Sequence, residues 1–285
     1  MRGLSALPPA FLLLRLSALL LPAAAGREPS PGREPSPGRE LSPGRELSPG
    51  SRLAAAAARA ALHYRNSRAA SPAALQALGQ VRKATLKSIP GSGHKYYLQF
   101  TTEDYKTGEN AGSCLATVLY PKKKSPPVVT IKCVPAKDQK EIQEEDNRIY
   151  QIIRHQTKPI QGNYIPDSYG IINPALEPVW ALAVVGSSYI MWEKSTENVG
   201  YFMAQVKSVQ QWMRKDDFVE FDYTVLLHEL PTQEIISCHM RLTWRPSHPL
   251  KVKYFCAPES EELDDGSGMG SGSAAGISQE RGANF

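Results

Sequence analysis

The sequence lacks the short motifs by which most enzymes and nucleic-acid binders announce themselves. It has no Gly-x-Ser-x-Gly elbow, no glycine-rich phosphate cradle and no dinucleotide fingerprint, which argues against hydrolase, nucleotide-dependent and Rossmann chemistry. Zinc-finger spacing and the aromatic RNP motif are missing too. The net charge of +5 over 285 residues is too mild to leave a nucleic-acid footprint. His228-Glu229 begins like the metalloprotease motif His-Glu-x-x-His, but its fifth position is Thr232 and Pro231 would break the helix that aligns the two ligands. No catalytic residue, metal site or cofactor is therefore expected. There is no Asn-x-Ser/Thr acceptor, so export would not bring N-glycosylation. His63, His94, His155, His239 and His248 are scattered, each most simply a surface residue. With 41% hydrophobic and 21% charged residues the composition is that of a soluble globular protein, long enough for one large domain or two small ones.

Cysteine is scarce as well, but its four copies are placed informatively. Ser113-Cys114-Leu-Ala-Thr-Val-Leu-Tyr120 runs on to Cys133, and Ser237-Cys238-His-Met-Arg-Leu-Thr-Trp244 runs on to Cys256. At a side-chain period of two, Cys238 shares a face with Met240, Leu242 and Trp244, and Cys256 with Leu250, Val252 and Tyr254. Pairing Cys238 with Cys256 sets Trp244 opposite Leu250 and leaves Arg-Pro-Ser-His-Pro as the turn. Pairing Cys114 with Cys133 sets Val118 against Val129 and leaves a Pro-Lys-Lys-Lys-Ser-Pro turn. Each disulfide closes a loop of about 20 residues, worth roughly 3 kcal/mol on the chain-entropy model. The competing reading is four reduced core cysteines in a cytosolic protein.

The N-terminus favours the disulfides. Met1-Arg2 precedes an apolar stretch ending in Pro22-Ala-Ala-Ala25, the small-residue pattern of a signal-peptidase site, so residues 1–25 are expected to be a signal peptide and the protein secreted. Arg15 and Pro8-Pro9 interrupt the stretch, and an uncleaved anchor in a single-pass membrane protein is the alternative. Four hexameric units follow, from Gly26-Arg-Glu-Pro-Ser-Pro31 to Pro49, the last two with Leu in place of the first Pro. Their Pro, Gly and charge content predicts a disordered spacer over 26–52, and the glycine period of six excludes collagen. An acidic patch and a Gly/Ser tail, 259–285, are read the same way.

Between these ends the same order of elements occurs twice. Residues 53–136 read as one unit that opens with a helix, with Leu53, Ala57, Ala60, Ala61 and Tyr64 at helical spacing and Ser71-Pro72 at its limit. Strands follow near 80–89, 95–102, 114–120 and 128–134, with Pro90-Gly-Ser-Gly93 as the first turn. The stretch 137–158 reads as a connecting helix, with Ile142, Ile149, Ile152 and Ile153 as its stripe and its acids as a solvated face. Residues 159–258 repeat the plan. A helix carries Leu176, Val179, Trp180, Ala183, Ser187, Ile190 and Met191, and begins either at Asn173-Pro174 or at Pro178; strands follow near 201–213, 218–227, 235–244 and 250–256. Lys122-Lys123-Lys124, at a hairpin tip, reads as a solvated turn.

A helix followed by a four-strand antiparallel meander is the plan in which a curved sheet wraps one long helix, and it resembles the cystatin plan. The resemblance sharpens at Ile89-Pro-Gly-Ser-Gly-His-Lys-Tyr-Tyr97, Glu144-Glu-Asp-Asn147, Gly186-Ser-Ser-Tyr-Ile-Met-Trp192, at 216–230 and at Thr232-Gln-Glu-Ile-Ile236. Over about 53–258 these residues resemble the latexin family, including its secreted or membrane-associated and eggshell-matrix members. The resemblance implies an α+β protein of two cystatin-like domains, each a helix on a four-stranded antiparallel sheet, joined by a connecting helix. It also implies inhibition of zinc metallocarboxypeptidases of the A/B type by a second-domain loop that enters the active-site funnel. The matching stretch here is His228-Glu229-Leu-Pro231-Thr232-Gln233-Glu234, with His228 and Gln233 nearest the enzyme's centre. As a polar hairpin tip with no partner, the same stretch has a plainer reading. The cystatin wedge Gln-x-Val-x-Gly is absent, since Gln80-Val81-Arg-Lys-Ala84 and Gln205-Val206-Lys-Ser-Val209 lack its glycine. The alternatives to an inhibitor are an extracellular matrix protein contacting other matrix components on the same scaffold, and a membrane-anchored regulator.

Overall fold

A computed structural model describes residues 44–123 and 125–258. The leader, the first three hexameric units, Lys124 and the acidic tail lie outside the described residues, and what was expected of them stays an expectation. The described chain is α+β, with two antiparallel sheets and three α-helices. The first sheet holds β1 (Arg45–Leu47), β2 (Gln76–Ile89), β3 (Gly93–Asp104), β4 (Asn110–Pro121) and β5 (Val128–Pro135) in sequential order. The second holds β6 (Gln161–Ile165), β7 (Tyr201–Trp212), β8 (Val219–Glu229), β9 (Ile235–Trp244) and β10 (Lys251–Pro258), also in sequential order.

Each sheet therefore has five strands and not the expected four. The additions, β1 and β6, are short and pair with the first long strand of their sheet. The repeating unit is strand, helix, four strands. β1 also corrects the spacer expected over 26–52, because it is formed by the last hexameric unit, Gly44 to Pro49. There Leu47 stands where the first two units have Pro. A leucine keeps the backbone N–H that a ladder needs, and Leu47 is buried in the first core opposite Ala84.

The cysteine hairpins have the expected register. Cys114 lies opposite Cys133 with Val118 opposite Val129, Cys238 lies opposite Cys256, and both pairs are disulfide-bonded. Alternate residues of β8 (Val219, Phe221, Tyr223, Val225, Leu227) and of β9 (Cys238, Met240, Leu242, Trp244) are all buried, as a sheet with one wet face requires.

Helices α1 (Arg52–Ala69) and α3 (Glu177–Lys194) lie against each other as well as against their own sheets. Each is thus covered on two sides. Ala54, Ala57, Ala58, Ala60 and Ala61 of α1 are all buried, the small side chains letting sheet and partner helix both come close. α3 is apolar all round for the same reason: a segment spanning it is long and apolar enough to cross a membrane by length and composition, but 56% of it is buried among protein neighbours. At Gly186 an added Cβ would stand 2.6 Å from both Leu242 Cδ1 and Met240 Sδ, so glycine sets the distance between α3 and β9. Both readings of the α3 start are partly met. Asn173 caps a 3-10 turn at Pro174–Leu176, and Pro178 sits in the first turn of the α-helix, where no intrahelical N–H is needed.

α2 (Gln139–Arg154) connects the halves. Ile142, Ile149 and Ile153 face inward, while Ile152 is exposed. Its acidic face is not wholly solvated either, since Asp146 is buried and accepts the Ala73 N–H at 3.0 Å; burial raises its pKa. His63 is a second correction. It sits in the seam between the halves, where its Nε2–H donates to the Tyr201 carbonyl at 3.0 Å, and burial lowers its pKa to about 4.

Candidate functional site

The stretch matched to an inhibitory loop is the β8–β9 turn, and the backbone closes it tightly. Glu229 N–H donates to Glu234 O and Gln233 N–H to Glu229 O, both at 2.9 Å, while Leu230 N–H donates to Gly200 O at the start of β7. Pro231, Thr232, Gln233 and Glu234 are exposed at the tip. His228 and Glu229 sit lower, as the last two residues of β8. Glu229 faces the interior of the loop, with one carboxylate oxygen accepting the Tyr201 hydroxyl at 2.9 Å and the other the Thr232 hydroxyl at 3.1 Å. It holds the turn in place. His228 packs edge-on against Phe202 with ring centroids 4.7 Å apart, and its Nδ1 is buried without a hydrogen bond, an arrangement that costs energy. Tyr201 and Phe202 support the site and were not anticipated in it, although alternation along β7 puts one inward and the other outward beside His228.

Gln233 is the unusual residue. Its φ is +65°, in the left-handed region that glycine tolerates and other residues enter at a cost of roughly 1 kcal/mol. Its side-chain amide N–H donates to Leu230 O at 2.6 Å, which leaves the amide oxygen to offer outward.

The β3–β4 turn of the first half is the same turn. Asp104 N–H donates to Glu109 O at 2.7 Å and Gly108 N–H to Asp104 O at 2.9 Å, the bonding pattern of Glu229, Glu234 and Gln233 over the same number of residues. The left-handed position there is Gly108, with φ +70°. The base of this twin is tied to the rest of the molecule, while Lys106, Thr107, Gly108 and Glu109 are exposed. Tyr105 lies tilted against Trp180 with ring centroids 5.6 Å apart, Lys106 pairs with Glu177 at 2.6 Å, and Lys137 pairs with Asp104 at 2.6 Å. The first turn is thus held to α3 through Tyr105 and Lys106, and the second carries a glutamine where the first has glycine.

Among the described residues no group of three or more His, Cys, Asp or Glu side chains is arranged to hold a metal ion. Of the remaining histidines, His155, His239 and His248 are exposed, and His94 bonds Glu197 across the seam at 2.7 Å.

A family model described as Latexin matches residues 47–262. Ovocalyxin-32 of Gallus gallus is 58% identical over 229 residues, covering 80% of this chain and 83% of that protein. Human retinoic acid receptor responder protein 1 is 43% identical over 225 residues, 76% of each. Mouse latexin is 38% identical over 206 residues, covering 67% of this chain and 92% of its own. Among solved structures, the crystal structure of mouse fetuin-B covers 76% of this chain and 71% of its own at 16% identity, with a TM-score of 0.28. The family model spans well over half of the chain and three named relatives exceed 30% identity across most of their lengths, so the chain belongs to the latexin family.

Proposed function

We propose that this protein is a non-enzymatic inhibitor of zinc carboxypeptidases of the A/B type, acting through the turn from His228 to Glu234. Gln233 carries the reading. A strained left-handed glutamine stands where the equivalent turn has glycine, and a strained residue persists where its side chain has a use. The surrounding geometry supports it. The turn is closed by backbone bonds and held by Glu229, so little entropy is lost when a partner binds, and Thr232, Gln233 and Glu234 are the polar side chains exposed at its tip, with the His228 ring below them. In this reading the two halves are cystatin-like domains, the first enlarged by β1, with α2 as their link. The protein is secreted after cleavage near Ala25, and two closed disulfides suit that oxidising route. N-terminal sequencing of the mature protein tests the cleavage: a start near Gly26 supports it, and an intact Met1 in membrane fractions favours an anchor.

The activity is tested by titrating the purified protein into carboxypeptidase A, alongside Gln233→Ala and Gln233→Gly. Inhibition is expected from the parent and at least tenfold weaker inhibition from both variants. Gln233→Gly should melt no lower than the parent, which separates lost contact from lost fold. If a stoichiometric excess leaves several A/B-type enzymes uninhibited, the inhibitor reading is lost and a matrix role on the same scaffold takes its place.

A further inference from the structure

The two halves differ in charge more than the whole chain suggests. Residues 53–136 contain 12 basic and 3 acidic side chains, and residues 159–258 contain 8 basic and 10 acidic ones. The excess is concentrated on the face of the first sheet that points away from α1. Lys83 and Lys87 of β2, Lys95 of β3 and Lys132 of β5 share that face by strand alternation. Lys83, Gln99, Leu115 and Lys132 form one row across four strands, and Lys87, Lys95, Leu119 and Val128 form the next but one. The second row runs toward the β4–β5 tip, where Lys122 and Lys123 are exposed. At ordinary strand dimensions these six cations span about 20 Å along the strands and about 14 Å across them. The acids on the face, Glu46 and Glu103, lie at its margins, on the edge strand and near the far end of β3.

Two features separate this face from an ordinary solvated one. Lys87 and Lys95 are directly opposed across neighbouring strands, a like-charge pairing that weakens a sheet, and no ion pair among the described residues relieves either. The second sheet pairs its acids on its own outward face, although Lys253 lies directly opposite Arg241 there. There Arg241 holds Asp222 in two hydrogen bonds of 2.6 Å, and Glu220 is bonded by Arg214. One face holds its acids in ion pairs with arginine, and the lysines of the other have no ion pair among the described residues.

We propose that the outward face of the first sheet binds a sulfated polysaccharide, a linear polyanion lying along the strands with its sulfates on the lysine rows. Lysine meets sulfate as a compact point charge, which suits a repeating anion better than a single planar group. The face offers threonines between its lysines and one exposed ring, Tyr97, with Lys95 already over it at 5.3 Å; it lacks the row of free aromatics that single-stranded nucleic acid needs. The two disulfides suit the secreted route proposed above, on which the abundant polyanions are polysaccharides. This surface uses the opposite half from the turn at Gln233, so neither proposal depends on the other.

The test is heparin affinity with the full chain as a function of NaCl. The parent should be retained, and Lys83→Gln, Lys87→Gln, Lys95→Gln and Lys132→Gln combined should lower the slope of log affinity against log salt by about 3, four contacts at about 0.7 each. A control removing four second-half charges, Lys215→Gln, Arg245→Gln, Lys251→Gln and Lys253→Gln, should change it by less than 1 on the same scale. Equal losses in the two variants would reduce the binding to net charge and overturn the proposal. So would failure to bind heparin, whether or not phosphatidylserine vesicles bind, or equally tight binding of a single-stranded oligonucleotide at the same salt. Because the first variant removes the Lys87–Lys95 repulsion, it should melt no lower than the parent, which keeps a loss of binding interpretable.

Discussion

Trp244 stands six residues after the first cysteine of its hairpin, and Tyr120 stands at the same place in the first half. Trp244 is completely buried and donates its indole N–H to the Ala70 carbonyl at the end of α1, 2.7 Å away. Tyr120 is also buried, but its hydroxyl has no hydrogen bond. The neighbouring contacts follow the same division. Near Trp244 the seam is mainly packed, with Tyr150 edge-on to the indole; near Tyr120 it is polar, with Glu197 accepting from Tyr96 at 2.5 Å and bonding His94. One plan used twice has therefore diverged where each copy meets the other. The second copy supplies the Trp244 anchor and leaves its β8–β9 turn exposed, while the first ties the base of its equivalent turn to α3 through Tyr105 and Lys106 and keeps a charged face.

That contrast can be broken in order of size. Trp244→Ala should cost about 3–5 kcal/mol in urea denaturation, as a large buried side chain leaves a cavity and strands a carbonyl, whereas Tyr120→Phe should change stability by less than about 0.5 kcal/mol or raise it. Comparable losses at the two sites would mean the seam is symmetric after all. Removing either cysteine pair by double alanine substitution should cost about 3 kcal/mol in both halves, because loops spanning 19 and 18 positions close with nearly the same entropy.

Acidification probes the seam itself. His63 has its folded pKa depressed by burial to about 4, with the bond to Tyr201 partly opposing and Arg59 adding to the shift. Its contribution is fully present above the unfolded value of about 6.5 and is lost as pH falls from there towards 4, since the unfolded chain takes the proton first. With part of the ring reaching solvent, the loss should be on the order of 2 kcal/mol, and His63→Gln should flatten that part of the stability profile. The twin turns allow a finer test. Gly108→Gln should cost about 1 kcal/mol and Gln233→Gly should gain up to about 1 kcal/mol, the same backbone preference read in opposite directions. Smallest of all, Lys106→Ala should lose only a few tenths of a kcal/mol, because its ion pair with Glu177 is largely exposed.

Much of this was legible in the residues. Alternation around Cys114 and Cys238 predicted both hairpin registers, and the alanine run predicted α1. β1 was not legible, because three residues of a Pro/Gly-rich repeat carry no period; the Leu for Pro exchange at position 47 was visible, but its meaning depends on the strand that Ala84 offers it. His63 was misplaced for a similar reason. Its neighbours make it one position on an amphipathic helix, and only the packing of α1 against the second half turns that position inward.

Local periodicity and the covalent pairing of cysteines are properties of short stretches, so the chain by itself determined the repeated order of helix and long strands, the registers of the two cysteine hairpins and the family. What the tertiary structure decided is which copy of each feature is available. The turns at Gly108 and Gln233 share a backbone, and the outward sheet faces share a pleat. They became different surfaces because packing two similar halves together ties the base of one turn to Trp180 and Glu177, leaves the other without such contacts to α3, and pairs acids with arginines on one sheet but not on the other.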